Sequence, residues 1–163
     1  MSRKEDENLM VVAAVEGYSF KHNMASKDAF DLLARYNVLN LIRSQYDTLH
    51  TQGLDENVSF AEDVIKFRSQ CMSHLALFHG SNIDFDSMEN KYVYKGQDIT
   101  IDVVMKIEKI TRIVTERENS DFDNVYRDFL ESKTYAALQN PESLMWAESE
   151  EFIVDEYYRE REN

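Results

Sequence analysis

The sequence predicts an all-α fold, a compact bundle of seven or eight short helices. Only 4 of the 163 residues are glycine and 1 is proline, so the chain lacks the turn residues that β-sandwiches and β-barrels require. Apolar residues recur at spacings of three and four, which is the period of a helix that buries one face. At 19.2 kDa the chain is long enough to bury a core, as one domain or as two very small ones.

Four helices are predicted in the first half, after a charged lead-in of residues 1–7 that we expect to be frayed. The fourth of them places Phe60, Val64 and Phe67 on one apolar face. The expected limits are Asn8 to His22–Asn23, Ser26 as N-cap to Tyr36–Asn37, Val38 to Leu49, and the capping box Ser59–Glu62 to Gly80.

Residues 81–99 form the interval in which the helical period fails. Polar and aromatic residues alternate from Lys91 to Gly96, which is typical of a short strand, so at most a small β-hairpin is expected there. Two helices are expected after it, the first capped by Asp98 or Thr100 and the second by Ser120 or Asp121. A short helix from Tyr135 to Leu138 follows, then a helix that starts with Asn140 as N-cap and Pro141 as its first residue, and last an acidic helix from Glu150 to Arg161.

The predicted organisation is therefore an N-terminal helical half at 1–80, a linker or hairpin at 81–99, and an acidic C-terminal helical half at 100–163. A shift of 96 residues superimposes apolar positions of the two halves, for example Leu33 on Phe129. Two related halves would explain this match, and so would the period that any two helical segments share.

Charge is the strongest global property of the sequence. The formal net charge is −13, of which residues 1–80 contribute −3 (8 basic, 11 acidic) and residues 81–163 contribute −10 (10 basic, 20 acidic). Nucleic-acid affinity rests on neutralising phosphates with Lys and Arg, so this balance argues against direct binding of nucleic acid or of anionic lipid. It favours a protein partner with a basic surface; a solvated acidic surface that keeps the protein soluble is the alternative.

Cellular location is predicted from cysteine usage and from the N-terminal residues. A single cysteine excludes an intramolecular disulfide and fits a reducing compartment. The first residues contain no continuous apolar stretch of the length that a signal peptide or a membrane span needs. We therefore expect a cytoplasmic protein that does not associate with membranes.

The segment Tyr46–Gly53, Tyr-Asp-Thr-Leu-His-Thr-Gln-Gly, ends an apolar helical run with residues that cap and turn. Gly53 is expected to end that helix in the left-handed conformation that glycine reaches without a steric penalty. In one interpretation His50, Thr51 and Gln52 satisfy the last carbonyl groups of the helix. In the other, they form with Tyr46 a polar loop that contacts a ligand or partner.

This segment and Phe30–Ile42 before it resemble a small bacterial helical family with a Tyr-x-Val step, an apolar helix and a Tyr-x-x-Leu-His-Thr-x-Gly block. The resemblance covers residues 10–66. The family continues with a Tyr-Ile-Val-x-Asp-Ile run, whereas residues 55–65 of this chain are longer and altered. Such proteins resemble small partners encoded beside ADP-ribosyltransferase-like toxins, which implies an antitoxin or accessory role. No catalytic residues are established for the family, so the resemblance transfers none. Three stretches of the second half are weakly similar to small acidic proteins of the same gene neighbourhoods: Leu130–Tyr135, Leu144–Ser149 and Phe152–Tyr157.

No set of residues typical of catalysis or metal binding is assembled in the sequence. The stretch His79-Gly80-Ser81 resembles the strand that opens the NAD site of ADP-ribosyltransferases, but the residues after it are predicted to be helical, so a helix cap and turn is the favoured interpretation. Cys71 and His74 are too few for a structural zinc site. We therefore expect a protein that is not an enzyme and that binds no cofactor or metal.

The predicted function is that of a non-enzymatic, acidic regulator that binds a protein, either antitoxin-like or an accessory partner of a bacterial toxin. The alternative is a phage or mobile-element anti-defence inhibitor whose acidic surface imitates nucleic acid toward a nuclease or defence protein. A mimic requires carboxylates in rows, whereas an adaptor requires an apolar anchor with a polar rim. The expected partner contacts are Trp146, Glu148, Glu150, Glu151, Asp155, Glu156, Tyr157 and Tyr158, with Tyr46, His50, Thr51 and Gln52 as a secondary surface.

Overall fold

A computed structural model describes residues 2–51, 53–72 and 91–162, and within these residues it confirms the all-α prediction. The two 3-10 helices span Pro141–Ser143 and Met145–Ala147, and the strands are β1 (Val93–Tyr94) and β2 (Gln97–Asp98). The α-helices are α1 Arg3–Lys21, α2 Ser26–Arg35, α3 Val38–Ser44, α4 Tyr46–Leu49, α5 Leu54–Met72, α6 Thr100–Glu118, α7 Phe122–Leu130, α8 Lys133–Leu138 and α9 Glu150–Glu162.

Helix α1 is the centre of the bundle. Every residue from Met10 to Ser19 is buried, so this helix is covered on all sides rather than along one stripe. It contacts α2, α3 and α5 from the first half of the chain and α6 from the second. The small side chains Ala13, Ala14 and Gly17 allow neighbours to approach closely on several sides.

One hydrophobic core serves both predicted halves. Its fully buried members include Leu33 of α2, Ile107 of α6, Phe129 of α7 and Ile153 of α9. Helix α9 packs on α6 and α8, and α2 packs on α7. The halves at 1–80 and 100–163 therefore share a core in the folded chain.

The predicted hairpin is present between Val93 and Asp98. Val93 pairs with Asp98 and Tyr94 with Gln97 in an antiparallel register. The two turn residues between them, Lys95 and Gly96, both have positive φ angles, 48° and 81°. Positive φ at both central positions gives the tight turn whose twist matches that of the flanking strands.

The expectation of a frayed N-terminus is wrong. Ser2 is the N-cap of α1, its hydroxyl accepts from the Glu5 amide, and the Glu5 carboxylate accepts from the Ser2 amide at 2.8 Å. This capping box satisfies two amide groups that would otherwise have no partner. The first helix therefore begins at Arg3, five residues before the predicted start.

The third predicted helix is broken, which is why the described residues hold nine α-helices where the sequence predicts seven or eight. Gln45, with φ −100° and ψ 14°, separates α3 from α4. Helix α4 ends at Leu49, and Gly53 is not among the residues with positive φ, so it does not end a helix as expected. Helix α5 already starts at Leu54, not at the Ser59 capping box.

Other predicted boundaries are confirmed or corrected by one residue. Asn23 and Asn37 end α1 and α2 in the left-handed conformation, and Asp121 caps α7. Two predictions fail locally: Ala25 precedes Ser26 as the N-cap of α2, and Phe67 is exposed. Ile99 occupies the N-cap position of α6, while the predicted cap Asp98 accepts from the Thr100 amide at 2.9 Å. The predicted helix end at Gly80 and the stretch His79–Ser81 lie outside the described residues.

The order and lengths of the helices recur along the chain. Helices α1, α2 and α3 have 19, 10 and 7 residues, and α6, α7 and α8 have 19, 9 and 6. Their starts are offset by 97, 96 and 95 residues, around the 96 residues that the apolar match requires. A duplicated origin of the two halves stays a prediction.

Candidate functional site

Helix α9 carries most of the predicted partner contacts and divides them between the core and the surface. It buries Ile153, Val154 and Tyr157 against α6 and α8. The opposite side presents Glu151, Phe152 and Asp155 to solvent, with Glu148 just before the helix. We call Glu148, Glu151, Phe152 and Asp155 the α9 face.

Phe152 is the exposed aromatic residue of the α9 face, with 42% of its surface accessible. The carboxylates of Glu148 and Glu151 have no ion pair among the described residues. Asp155 makes a single long pair, 3.7 Å from Arg117, in which its side chain remains 60% exposed. The face therefore consists of an apolar ring surrounded by carboxylates that are available to a partner.

Other predicted acidic residues are already neutralised within the chain. Glu150 lies 3.5 Å from Lys106 and 3.4 Å from Lys109, and Glu156 pairs with Arg159. Burial would raise the pKa of Glu150, but the nearby backbone amide and lysines lower it. These two carboxylates are therefore less available to a partner than Glu148 and Glu151.

Two of the predicted aromatic anchors have structural roles. Tyr157 is only 3% exposed and packs edge-to-face on Phe129, so it belongs to the core rather than to the surface. Trp146 is half-buried: its indole N–H donates to the Pro141 carbonyl at 3.1 Å and its ring lies 5.6 Å from that of Tyr94. Tyr158 is half-buried beside Tyr157.

The Tyr46–Gly53 segment lies in α4 and the turn that follows it. His50 Nδ1 is 2.7 Å from the Tyr46 carbonyl oxygen, and the Thr51 hydroxyl donates to the Thr48 carbonyl at 3.0 Å. These bonds satisfy helix carbonyl groups, as the first interpretation of the segment predicts. His50 and Thr51 are nevertheless exposed, and Gln52 lies outside the described residues.

Sequence reasoning missed a buried charged centre on α1. Glu16 is fully buried, and Lys91 lies 2.5 Å from its Oε2 atom. Tyr92 and Ser26 donate to the same oxygen at 2.8 and 3.2 Å. The tyrosine hydroxyls of α7 and α8 donate to Oε1: Tyr126 at 3.2 Å and Tyr135 at 2.6 Å. We call these residues the Glu16 centre.

The Glu16 centre is held in a charged state. Desolvation alone would raise the pKa of Glu16, but Lys91 and the tyrosine hydroxyls outweigh it and lower the pKa. Burial and the Glu16 charge raise the pKa values of Tyr126 and Tyr135. Since all these donors hydrogen-bond to the Glu16 carboxylate, the centre connects α1 to α7, to α8 and to the residues before β1.

A cleft of about 360 Å³ opens beside this centre. Its lining includes Ser19, Ser26, Lys91, Tyr135 and Gln139. The Gln139 amide donates to the Tyr135 hydroxyl at 2.8 Å, and Lys91 also donates to the Ser19 hydroxyl at 2.9 Å. These polar groups are already paired with one another, which describes a stabilising network rather than an assembled nucleophile and base.

A clue to the Glu16 centre was present in the sequence. Glu16 directly follows the apolar run Val11–Val15, and charged residues are almost never fully buried unless they are paired.

For α9, the residues at 153, 154 and 157 form the i, i+1, i+4 set of one helix face. That pattern would have placed Tyr157 inside and Phe152 outside.

The described residues contain no group of three or more His, Cys, Asp or Glu side chains that could hold a metal ion. Among the helices of the described ranges, none combines the length and the apolar character needed to cross a membrane.

Comparison with known protein families shows a match in the first half of the chain. Residues 9–68 match a family model described as "Protein of unknown function (DUF3791)". The match spans 60 of the 163 residues, from α1 into α5, and includes the Tyr46–Gly53 segment. No curated protein and no solved structure shows a significant match to the chain. Over residues 9–68, the chain is similar to a family whose description assigns it no activity.

Proposed function

We propose that the protein is a non-enzymatic regulator that binds a partner protein with a basic surface, in the cytoplasm, as an antitoxin-like or accessory partner of a bacterial toxin. The toxin context rests on the resemblance of the Tyr46–Gly53 segment and its surroundings. The binding surface that we propose is the α9 face. The observation that carries the proposal is the exposure of Phe152 among Glu148, Glu151 and Asp155.

The composition of the α9 face matches what protein interfaces need. Interface energy comes mainly from a few aromatic or arginine anchors that become desolvated, while charged rim residues set the association rate and its salt dependence. Phe152 supplies an anchor that projects from a helix fixed in the core by Ile153, Val154 and Tyr157. Such an anchor costs little additional ordering when a partner binds.

The arrangement favours an apolar anchor with an acidic rim over a surface that imitates nucleic acid. A mimic needs unpaired carboxylates in rows, but within α9 Glu150 and Glu156 each face a basic side chain of this chain. Glu148, Glu151 and the largely exposed Asp155 remain, and they accompany an apolar ring. This pattern resembles an anchor with an acidic rim.

Affinity capture followed by mass spectrometry tests the proposal when three baits are compared. The baits are the wild-type protein, Phe152→Ala, and Phe67→Ala as a matched control, because Phe67 is another exposed phenylalanine, 68% accessible, on α5. Truncation of the C-terminal segment is unsuitable, because α9 contributes Ile153 and Val154 to the core.

We expect a partner that wild type and Phe67→Ala retain and that Phe152→Ala loses, with an affinity at least about tenfold weaker for Phe152→Ala. Association should slow as salt rises from 0.1 to 1 M, because the Debye length falls from about 10 to 3 Å. Equal retention by all three baits would contradict the proposal. A partner that is displaced by duplex DNA would favour the mimic instead.

A further inference from the structure

A pocket lies beside the Tyr46–Gly53 segment, away from the α9 face. It has a volume of about 240 Å³ and lies between α1, α4 with its C-terminal cap, and α5. Asp6, Leu9 and Met10 of α1, Tyr46 and Leu49 of α4, His50 and Asn57 line it. All of these except Asp6 fall within the residues that match the family model.

Asn57 has a buried hydrogen-bonding group that the fold leaves unused. The residue is 2% exposed, and its Oδ1 atom has no hydrogen-bond partner among the described residues. A buried acceptor without a partner costs the folded protein about 1–3 kcal/mol. A donor bound in the adjoining pocket would remove this cost.

Two further polar side chains of the pocket, Asp6 and His50, offer acceptor atoms. Asp6 makes no ion pair among the described residues and accepts a single 3.3 Å bond from the Tyr46 hydroxyl. His50 Nδ1 lies 2.7 Å from the Tyr46 carbonyl, which can only accept, so Nδ1 carries a hydrogen, and in that tautomer Nε2 is the acceptor atom of the ring. The pocket therefore requires donors from its ligand.

The remaining lining is apolar or aromatic. Leu9, Met10 and Leu49 supply aliphatic contacts, and the Tyr46 ring stacks on His50 at 4.7 Å. The Arg3 guanidinium lies 5.3 Å from the centre of the same ring, so Tyr46 already contacts a cation of this chain. The aliphatic walls suit the methylene stem of a long side chain.

We propose that this pocket binds an alkylammonium group, and that a lysine side chain of the partner protein supplies it. The ammonium has three donors and no acceptor, which fits Asp6, the Asn57 Oδ1 atom and His50 Nε2. Its four-carbon stem contacts Leu9, Met10 and Leu49. The choice of a protein side chain rests on the proposed function; the chemistry of the bound group rests on the pocket.

Chemical-shift titration by NMR tests this with the free, full-length protein. The probes are Nα-acetyl-lysine methylamide and Nα-acetyl-norleucine methylamide, which has the same main chain and a similar apolar side chain but no ammonium. We expect the lysine probe, and not the norleucine probe, to shift the resonances of His50 and Asn57. Equal shifts from both probes, or none from either, would overturn the proposal.

Variants separate binding from folding. Asp6→Asn and Asn57→Leu should each weaken binding of the lysine probe by about tenfold. The control Asp47→Asn removes an exposed α4 carboxylate outside the pocket and should leave the affinity unchanged. Asn57→Leu should unfold at the same or a higher denaturant concentration than wild type, because it removes an unpaired buried acceptor. Unchanged binding by Asp6→Asn and Asn57→Leu would contradict the assignment.

A free diamine distinguishes the source of the ammonium group. If 1,4-diaminobutane binds more tightly than the lysine probe, the assignment to a protein side chain is wrong. None of these measurements uses the partner or Phe152. Their failure and the failure of the proposed function are therefore observed separately.

Discussion

At the scale of single residues, two buried carboxylates of this protein are stabilised very differently. Glu16 accepts from Lys91, from a serine and from three tyrosines. Glu108, 2% exposed, faces Arg112 at 3.4 Å without a hydrogen bond to its Oε1 atom. A buried charge is tolerated when its hydrogen-bonding capacity is filled, and it is costly otherwise.

The first prediction concerns Glu16→Gln. This change leaves Lys91 as an uncompensated buried charge, and breaking such a pair typically costs about 3–5 kcal/mol of unfolding free energy. Urea denaturation measures the loss. Lys91→Met is the companion variant, and the double variant should lose less than the sum of the two single losses because the partners act on each other. A Glu16→Gln midpoint equal to that of wild type would contradict this account.

At the scale of elements, features that depend on neighbouring residues were predictable from the sequence, and features that depend on residues distant along the chain were not. Asp121 caps α7 through its own next residues, so the sequence alone places that boundary correctly. The all-round burial of α1 depends on donors that are distant along the chain, since Lys91 and Tyr135 are 75 and 119 residues from Glu16. An amphipathic helix was therefore predictable at α1, but its role as the central helix was not.

The contact surface was predictable only in part. The acidic, aromatic composition of residues 146–158 identifies the region, but composition does not show that α6 and α8 cover Tyr157 and leave Phe152 exposed. The pocket beside Tyr46 was not predictable, since its Asp6 and Asn57 come from two other helices.

The contact between α1 and α6 provides a pH-dependent prediction. Arg112 of α6 faces Glu5 of α1 and both Glu108 and Glu116 of its own helix. Burial, partly offset by Arg112, raises the pKa of Glu108 to about 7. The folded state then binds this proton more tightly than the unfolded state. The stability that the protonated Glu108 side chain contributes is fully present below its ordinary pKa of 4.5. This stability is lost as pH rises through about 7.

Glu108→Gln should therefore stabilise the protein at pH 8, by about 1–3 kcal/mol, and this gain should shrink toward zero at pH 5. Thermal unfolding at the two pH values measures it. Glu116→Gln is the matched control, because it removes another neighbour of Arg112 whose side chain is 67% exposed. Equal gains at both pH values would show that the buried charge of Glu108 is not the cause.

At the scale of the whole molecule, a bundle with one shared core carries an excess of acidic residues. The chain carries −13, concentrated in residues 81–163, yet α9 is fastened to the same core as α1. The α9 face and the pocket beside Tyr46 lie on different elements. We propose that the partner binds the α9 face.

Hydrogen-exchange mass spectrometry of the complex with the captured partner tests this claim most directly. Binding should slow amide exchange in residues 148–158 relative to the free protein, and the Phe152→Ala variant should lose that protection while Phe67→Ala retains it. If binding slows amide exchange only in other parts of the chain and leaves exchange in residues 148–158 unchanged, the claim is contradicted.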